Sequence, residues 1–134
     1  MLEQKPRLTS AVLVVQDGKY LLAERNKENY QGYWIIPGGG VNFGETIQEA
    51  AIREIKEETN LDVELIKLIG YKEIINVPGN YHSLVFYHLA KPKHMDLEAS
   101  SDVSAVKFLD IEEIKKLKIA ESVEWVMKKA GFWL

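Results

Sequence analysis

With 134 residues, 46% hydrophobic, 28% charged, a net charge of −3 and no cysteine, the chain has the composition of one soluble domain able to bury a substantial core. Its mixed charge offers no basic face for a nucleic acid polymer, and without cysteine there are no disulfides, thiol nucleophiles or zinc–cysteine sites. The opening MLEQKPRLTS lacks the apolar stretch of a signal peptide, and no run reaches the roughly 20 apolar residues of a membrane span, which predicts a cytoplasmic protein with no membrane partner.

Leu8–Val15 and Lys19–Arg25 are apolar, β-branched runs on either side of Asp17-Gly18, a pair that tolerates positive φ, so they read as a hairpin. NKENYQG is polar and reads as a loop, and Trp34-Ile35-Ile36 reads as a brief strand stopped by Pro37. From Thr46 the period becomes helical. Thr46 and Glu49 form a T-x-x-E capping box, nothing breaks the segment to Thr59, and Asn60 suits a left-handed helix end. Asp62–Asn76, Tyr81–Lys91 and Ser104–Leu109 follow as β-rich runs, with a turn at Pro78-Gly79 and a polar loop, KPKHMDLEASSD. Asp110-x-x-Glu113 opens a short helix through Leu117, and Val123, Val126, Met127 and Ala130 carry the spacing of a packed terminal helix. This order suggests a mixed sheet covered by helices.

The charges of the central helix are unusual. At about 100° per residue, Glu57 and Glu58 lie about 60° and 40° to either side of Glu54, next to Ile47, Ala50 and Ala51. The same projection gathers Glu49, Arg53, Lys56 and Asn60 on another flank. Like charges at i, i+3 and i+4 repel, and repel more in a cleft, unless a cation intervenes. Hard oxygen donors suit Mg²⁺, or Mn²⁺ in its place, and Mg²⁺ shares its coordination with water and substrate phosphate. Taken alone, such a run reads more simply as a solvated face with an Arg53–Glu57 surface ion pair. The company of Gly38, Gly39 and Gly40 favours the first reading, because glycines admit close approach and their amides can form an anion-binding concavity. A Walker loop is excluded, since no Gly-Lys-Ser/Thr follows.

Together these residues resemble the Nudix box of MutT-like hydrolases, G-x5-E-x7-R-E-U-x-E-E-x-G-U with U aliphatic. Gly39, Glu45, Arg53, Glu54, Ile55, Glu57, Glu58 and Leu61 match, and Asn60 stands where the pattern has its last glycine. Trp34-x-x-Pro37-Gly38-Gly39 and the order of elements extend the likeness over nearly the whole chain. The resemblance implies a single domain over residues 1–134 with an α/β/α sandwich fold and a mixed sheet. The implied activity is hydrolysis of a nucleoside diphosphate linked to another group, a small-molecule nucleotide. It also implies that Glu54, Glu57 and Glu58 hold the divalent metal with the Gly38 carbonyl, that Arg53 orients carboxylates, and that Glu45 ties the loop to the helix start. Asp102 stands where many members add a further acid from a later loop. Attack by a metal-activated water needs a general base, Glu54 in first place and Glu57 in second.

Gly39, Gly40 and Arg25 are candidate substrate contacts. Tyr33 and Trp34 either stack on a base or join the core, and His82, His88 and His94 are too scattered for a metal site. A catalytically silent Nudix-like binding module would be expected to have lost helix acids, and all are present. A decapping-type enzyme would want a basic surface. The substrate is not legible: Pro78 lies further from the box than the proline of ADP-ribose hydrolases, and a nucleoside triphosphate, including an oxidised one, is equally compatible. Phe132, Trp133 and Leu134 form an apolar end that packs either internally or across a homodimer.

Overall fold

The computed structural model describes residues 4–26, 31–100 and 103–134. Strands β1 (Arg7–Gln16) and β2 (Lys19–Arg25) meet at Asp17-Gly18, whose φ values of 50° and 72° make the tight hairpin turn. Only Val15↔Tyr20 and Gln16↔Lys19 pair between them. Beyond those residues the strands part. The vacated edge of β1 is taken by β4 (Gly38–Gly40), through Thr9↔Gly40, Ser10↔Gly39 and Ala11↔Gly38, whereas β3 (Trp34–Ile35) pairs with β2. The glycine triplet is thus a strand where a loop is expected from its composition. None of its three residues has positive φ, so its glycines serve close packing and not a left-handed backbone.

The other edge of β1 runs parallel to β6 (Tyr81–Pro92), from Arg7↔Ser83 to Val14↔Ala90. Strand β5 (Val63–Asn76) pairs antiparallel with β6, and β7 (Val103–Leu109) antiparallel with β2, giving seven strands among the described residues in one mixed sheet. Alternation along β1 divides the core. Val12 and Val14 point to helix α1 (Ile47–Thr59), packing with Leu21, Ala51, Ile55, Leu61 and Ala90. Ala11 and Leu13 point the opposite way, to Ile114 of α2 (Ile111–Lys115) and Val123, Val126 and Met127 of α3 (Glu121–Ala130). Each fully buried aliphatic side chain stabilises by about 1.5–3 kcal/mol relative to exposure. The result is the expected α/β/α sandwich.

Helix α1 starts and stops where its local chemistry dictates. Thr46 accepts from the Glu49 amide at 3.0 Å while the Glu49 carboxylate accepts from the Thr46 amide at 3.0 Å. Asn60 closes it at φ 67°. At the chain end Phe132 and Trp133 pack internally, Phe132 with its ring 5.0 Å from that of Tyr20, and Leu134 is exposed. Trp34 belongs to the core, whereas Tyr33 sits under the Lys118 ammonium at 4.3 Å. Among the described residues no helix is long and apolar enough to cross a membrane.

Candidate active site

Where β1 and β2 part, they leave a cleft of about 420 Å³. Gly38, Gly39 and Gly40 of β4 line it, with Glu54, Glu57 and Glu58 of α1, Arg7 at the start of β1, Arg25 at the end of β2, and Ile35, Ser100 and Val103. The three acids therefore share one cleft with the glycines. Arg7 and Ser100 have no signal in the sequence. Arg7 reaches the cleft through the register of β1, and Ser100 through the lay of a loop. Asp102 lies outside the described residues.

Arg53 holds the centre of the acid wall together. Its Nε and Nη2 donate to the two carboxylate oxygens of Glu45 at 2.7 and 2.9 Å, a bidentate pair, and Nη2 also donates to the Gly40 carbonyl at 2.8 Å. Nη1 donates to Glu54 Oε1 at 2.7 Å and, more weakly, to Glu57 at 3.3 Å. The expected Arg53–Glu57 pair is present, and the long side chain also bends from its flank of the helix to Glu45, Glu54 and the Gly40 carbonyl. The Arg53 guanidinium, with the Asn42 amide donating to Oε1 at 3.0 Å, pulls the Glu45 carboxyl down to about 2. The same pairing raises Arg53 above its ordinary value, so it stays cationic. Glu45 therefore connects the 42–45 turn to α1 through Arg53.

Glu54 is largely shielded, with 16% of its side chain exposed, whereas Glu57 is 58% exposed. Gly39 explains how Glu54 fits. A Cβ on residue 39 would lie 2.3 Å from the Glu54 carboxyl carbon, so only glycine admits that carboxylate over the β4 backbone. Gly38 is close-packed differently, since a Cβ there would meet the Ser10 carbonyl oxygen at 2.5 Å.

The loop after β6 lies along the C-terminal end of α1. The Ser100 amide donates to the Glu58 carbonyl at 3.1 Å, and the Glu98 amide to that of Thr59 at 2.9 Å, satisfying carbonyls that a helix end leaves over. Asn60 Nδ2 donates to the Asp96 carbonyl at 2.9 Å. The residue that departs from the box pattern thus keeps the left-handed closure and adds a tether that glycine lacks. His94 joins the same loop to Asp62 at 3.0 Å, and His82 meets Glu73 at 3.2 Å.

Among the described residues no three acidic or histidine side chains converge into a ready-made metal cage. The donors facing the cleft are nevertheless all oxygen. Mg²⁺ commonly takes one or two carboxylates and fills its remaining positions with water and phosphate, so this donor set fits a hard divalent ion shared with a phosphate ligand.

A NUDIX domain family model matches residues 5–129. The ADP-ribose pyrophosphatase of Methanocaldococcus jannaschii is 31% identical over 105 residues, covering 78% of this chain and 62% of that protein. The oxidized purine nucleoside triphosphate hydrolase of Danio rerio is 32% identical over 121 residues, covering 89% of this chain and 76% of that protein. The chain spans less than two thirds of the archaeal protein's length. Among solved structures, the MutT NUDIX hydrolase from Burkholderia pseudomallei superposes with a TM-score of 0.86 at 22% identity over 93% of this chain and 98% of that one, a likeness of fold. With the family model spanning nearly its whole length, and the acids, arginine and glycines of the box gathered on one cleft, the chain belongs to the Nudix family.

Proposed function

We propose that the chain is a Nudix pyrophosphohydrolase that uses Mg²⁺, or Mn²⁺, to cleave a nucleoside diphosphate linked to another group. The observation that carries this reading is the Glu54 carboxylate, seated over Gly39 and held by Arg53 in a cleft it shares with Glu57 and Glu58. In the reaction a water oxygen forms a bond to one phosphorus, the bridging P–O bond breaks, and the departing phosphate keeps the bridging oxygen. Glu54, Glu57 and Glu58 would hold the ion together with the Gly38 carbonyl. When bound, the ion neutralises phosphate oxygens and lowers the pKa of the attacking water.

The remaining work falls to the chain's own groups. Arg53 fixes the direction of the Glu54 carboxylate, so no reorganisation is needed when the substrate arrives. Glu54, or Glu57 beside it, takes the water's proton. Arg25 and the β4 backbone meet the phosphates. Relatives named as ADP-ribose and as oxidized purine triphosphate hydrolases support the reaction class and leave two substrate types in view.

The test is turnover of ADP-ribose, diadenosine polyphosphates, nucleotide sugars, and canonical and oxidised nucleoside triphosphates, with Mg²⁺ or Mn²⁺ and with product identification. Release of a nucleoside monophosphate from at least one, abolished by chelation, is expected. Binding without turnover on any of them would instead make the chain a silent nucleotide-binding module.

A further inference from the structure

The acid wall accounts for only one side of the cleft. Its lining also carries two guanidiniums, those of Arg7 and Arg25. Arg7 opens β1 opposite Ser83 of β6, Arg25 closes β2 opposite Val103 of β7, and both line the cleft together with the glycine strand. The position of Arg7 is defined by its neighbour: a Cβ on Gly40 would lie 3.5 Å from Arg7 Nη2. Gly40 is thus flanked by Arg7 on one side and bonded through its carbonyl to Arg53 on the other. Arg53 is committed to Glu45 and Glu54, whereas Arg7 ion-pairs with no carboxylate among the described residues.

We propose that Arg7, with Arg25, binds an anionic group beyond the scissile pyrophosphate and so selects ligands bearing a terminal phosphate, the nucleoside triphosphate class, over uncharged-ended diphosphate diesters such as ADP-ribose. This rests on the reading of the cleft as a pyrophosphohydrolase site. The physical basis is charge matching. A diphosphate diester carries two negative charges, which a divalent ion held by the acids would balance. The additional charge of a triphosphate would face the remaining carboxylate field uncompensated unless cations also line the cleft. Two guanidiniums supply them, and a planar fork matches a phosphate with paired donors. Arg7 is exposed, so water and salt screen it and its effect on affinity is moderate, about tenfold.

The test is calorimetric binding, in Mg²⁺, of a non-hydrolysable nucleoside triphosphate and of ADP-ribose to the full chain and to Arg7→Gln, Arg7→Lys and Arg25→Gln. Thermal melting confirms that each variant folds. Arg7→Gln is expected to weaken triphosphate binding about tenfold and ADP-ribose binding less than about twofold, with Arg7→Lys recovering part of the loss. In turnover with a triphosphate, the same variant raises KM and leaves kcat near its original value. Equal weakening of both ligands, or of neither, overturns the proposal even if the protein hydrolyses pyrophosphates. Triphosphate binding that depends on Arg7 in a chain that hydrolyses nothing would uphold it while removing the proposed activity.

Discussion

The carboxyl group of Glu54 rests on the backbone of Gly39, at a separation that no other residue type at position 39 would leave. The three adjacent glycines of β4 consequently have three different jobs, and alanine at each should separate them. At residue 38 the added methyl meets backbone of β1, which cannot yield, so Gly38→Ala should lower stability by about 1–3 kcal/mol. At residue 39 it meets the end of a flexible side chain. Gly39→Ala should keep stability within about 1 kcal/mol of the parent while displacing Glu54 and lowering kcat about 100-fold. Gly40→Ala should be mild in both respects. Denaturant melts beside steady-state kinetics decide each case.

Arg53 uses its guanidinium as a branched donor to Glu45, Glu54, Glu57 and the Gly40 carbonyl. Lysine offers one point charge and cannot span those acceptors. Arg53→Lys should therefore reduce kcat by about 100-fold with KM little changed, since the lost feature is the aim of Glu54 and not a hold on the ligand. A rise in KM alone would move Arg53 from orienting to substrate binding.

Ser10 and His88 form a hydrogen bond of 2.7 Å wholly inside the protein. The Ser10 hydroxyl donates to the Ile47 carbonyl at 2.7 Å, so toward His88 it accepts, and the imidazole proton sits on Nε2. Burial pushes His88 below its ordinary value of 6.5, so the folded protein holds it neutral. The unfolded chain binds a proton near that ordinary value and the folded chain only at lower pH. Stability from neutral His88 is therefore fully present above about pH 6.5 and is lost as pH falls from there through the folded pKa. Urea unfolding at intervals from pH 8 to 5 should show this slope, and His88→Gln should flatten it. Glu45 adds a separate dependence, its contribution draining as pH falls from 4.5 to about 2, and Glu45→Gln should remove that part.

Asn60→Gly would restore the glycine of the box pattern. Relief at φ 67° offsets the lost bond to Asp96, so the melting temperature should move little. The loop, however, loses its tether. Amide exchange at Glu98 and Ser100, which cover the last carbonyls of α1, should become faster, and unchanged exchange would remove any role for the Asn60 side chain in seating the loop.

What could be read in advance divides along local and non-local lines. The start and end of α1 were legible because a capping box and a left-handed Asn60 are chemistry within a few residues. The Asp17-Gly18 turn was legible for the same reason. Strand β4 was not, since three glycines carry no β-propensity and their pairing is imposed by the edge that β2 vacates on β1. The Arg53–Glu57 pair was legible at i, i+4, but the bond of Arg53 to the Gly40 carbonyl was not, because a projection locates Cβ atoms and not the end of a long side chain. Arg7 and Ser100 reach the cleft through strand register and loop path, for which single residues leave no pattern.

The parallel pairing of β1 with β6 also sets an order of assembly. Ser83 of β6 is 76 residues from Arg7 of β1, and the loop between them must close before that ladder forms. Helix α1, with both caps in its own sequence, can form early, so its acids exist before the cleft that uses them. Long-range pairings of this kind slow folding, and contacts made after the transition state act on the rate of unfolding. Substitutions at Ser10 or Ser83 weaken that ladder and should speed unfolding, and the lifetime of the cleft is then governed by a strand that supplies none of its acids.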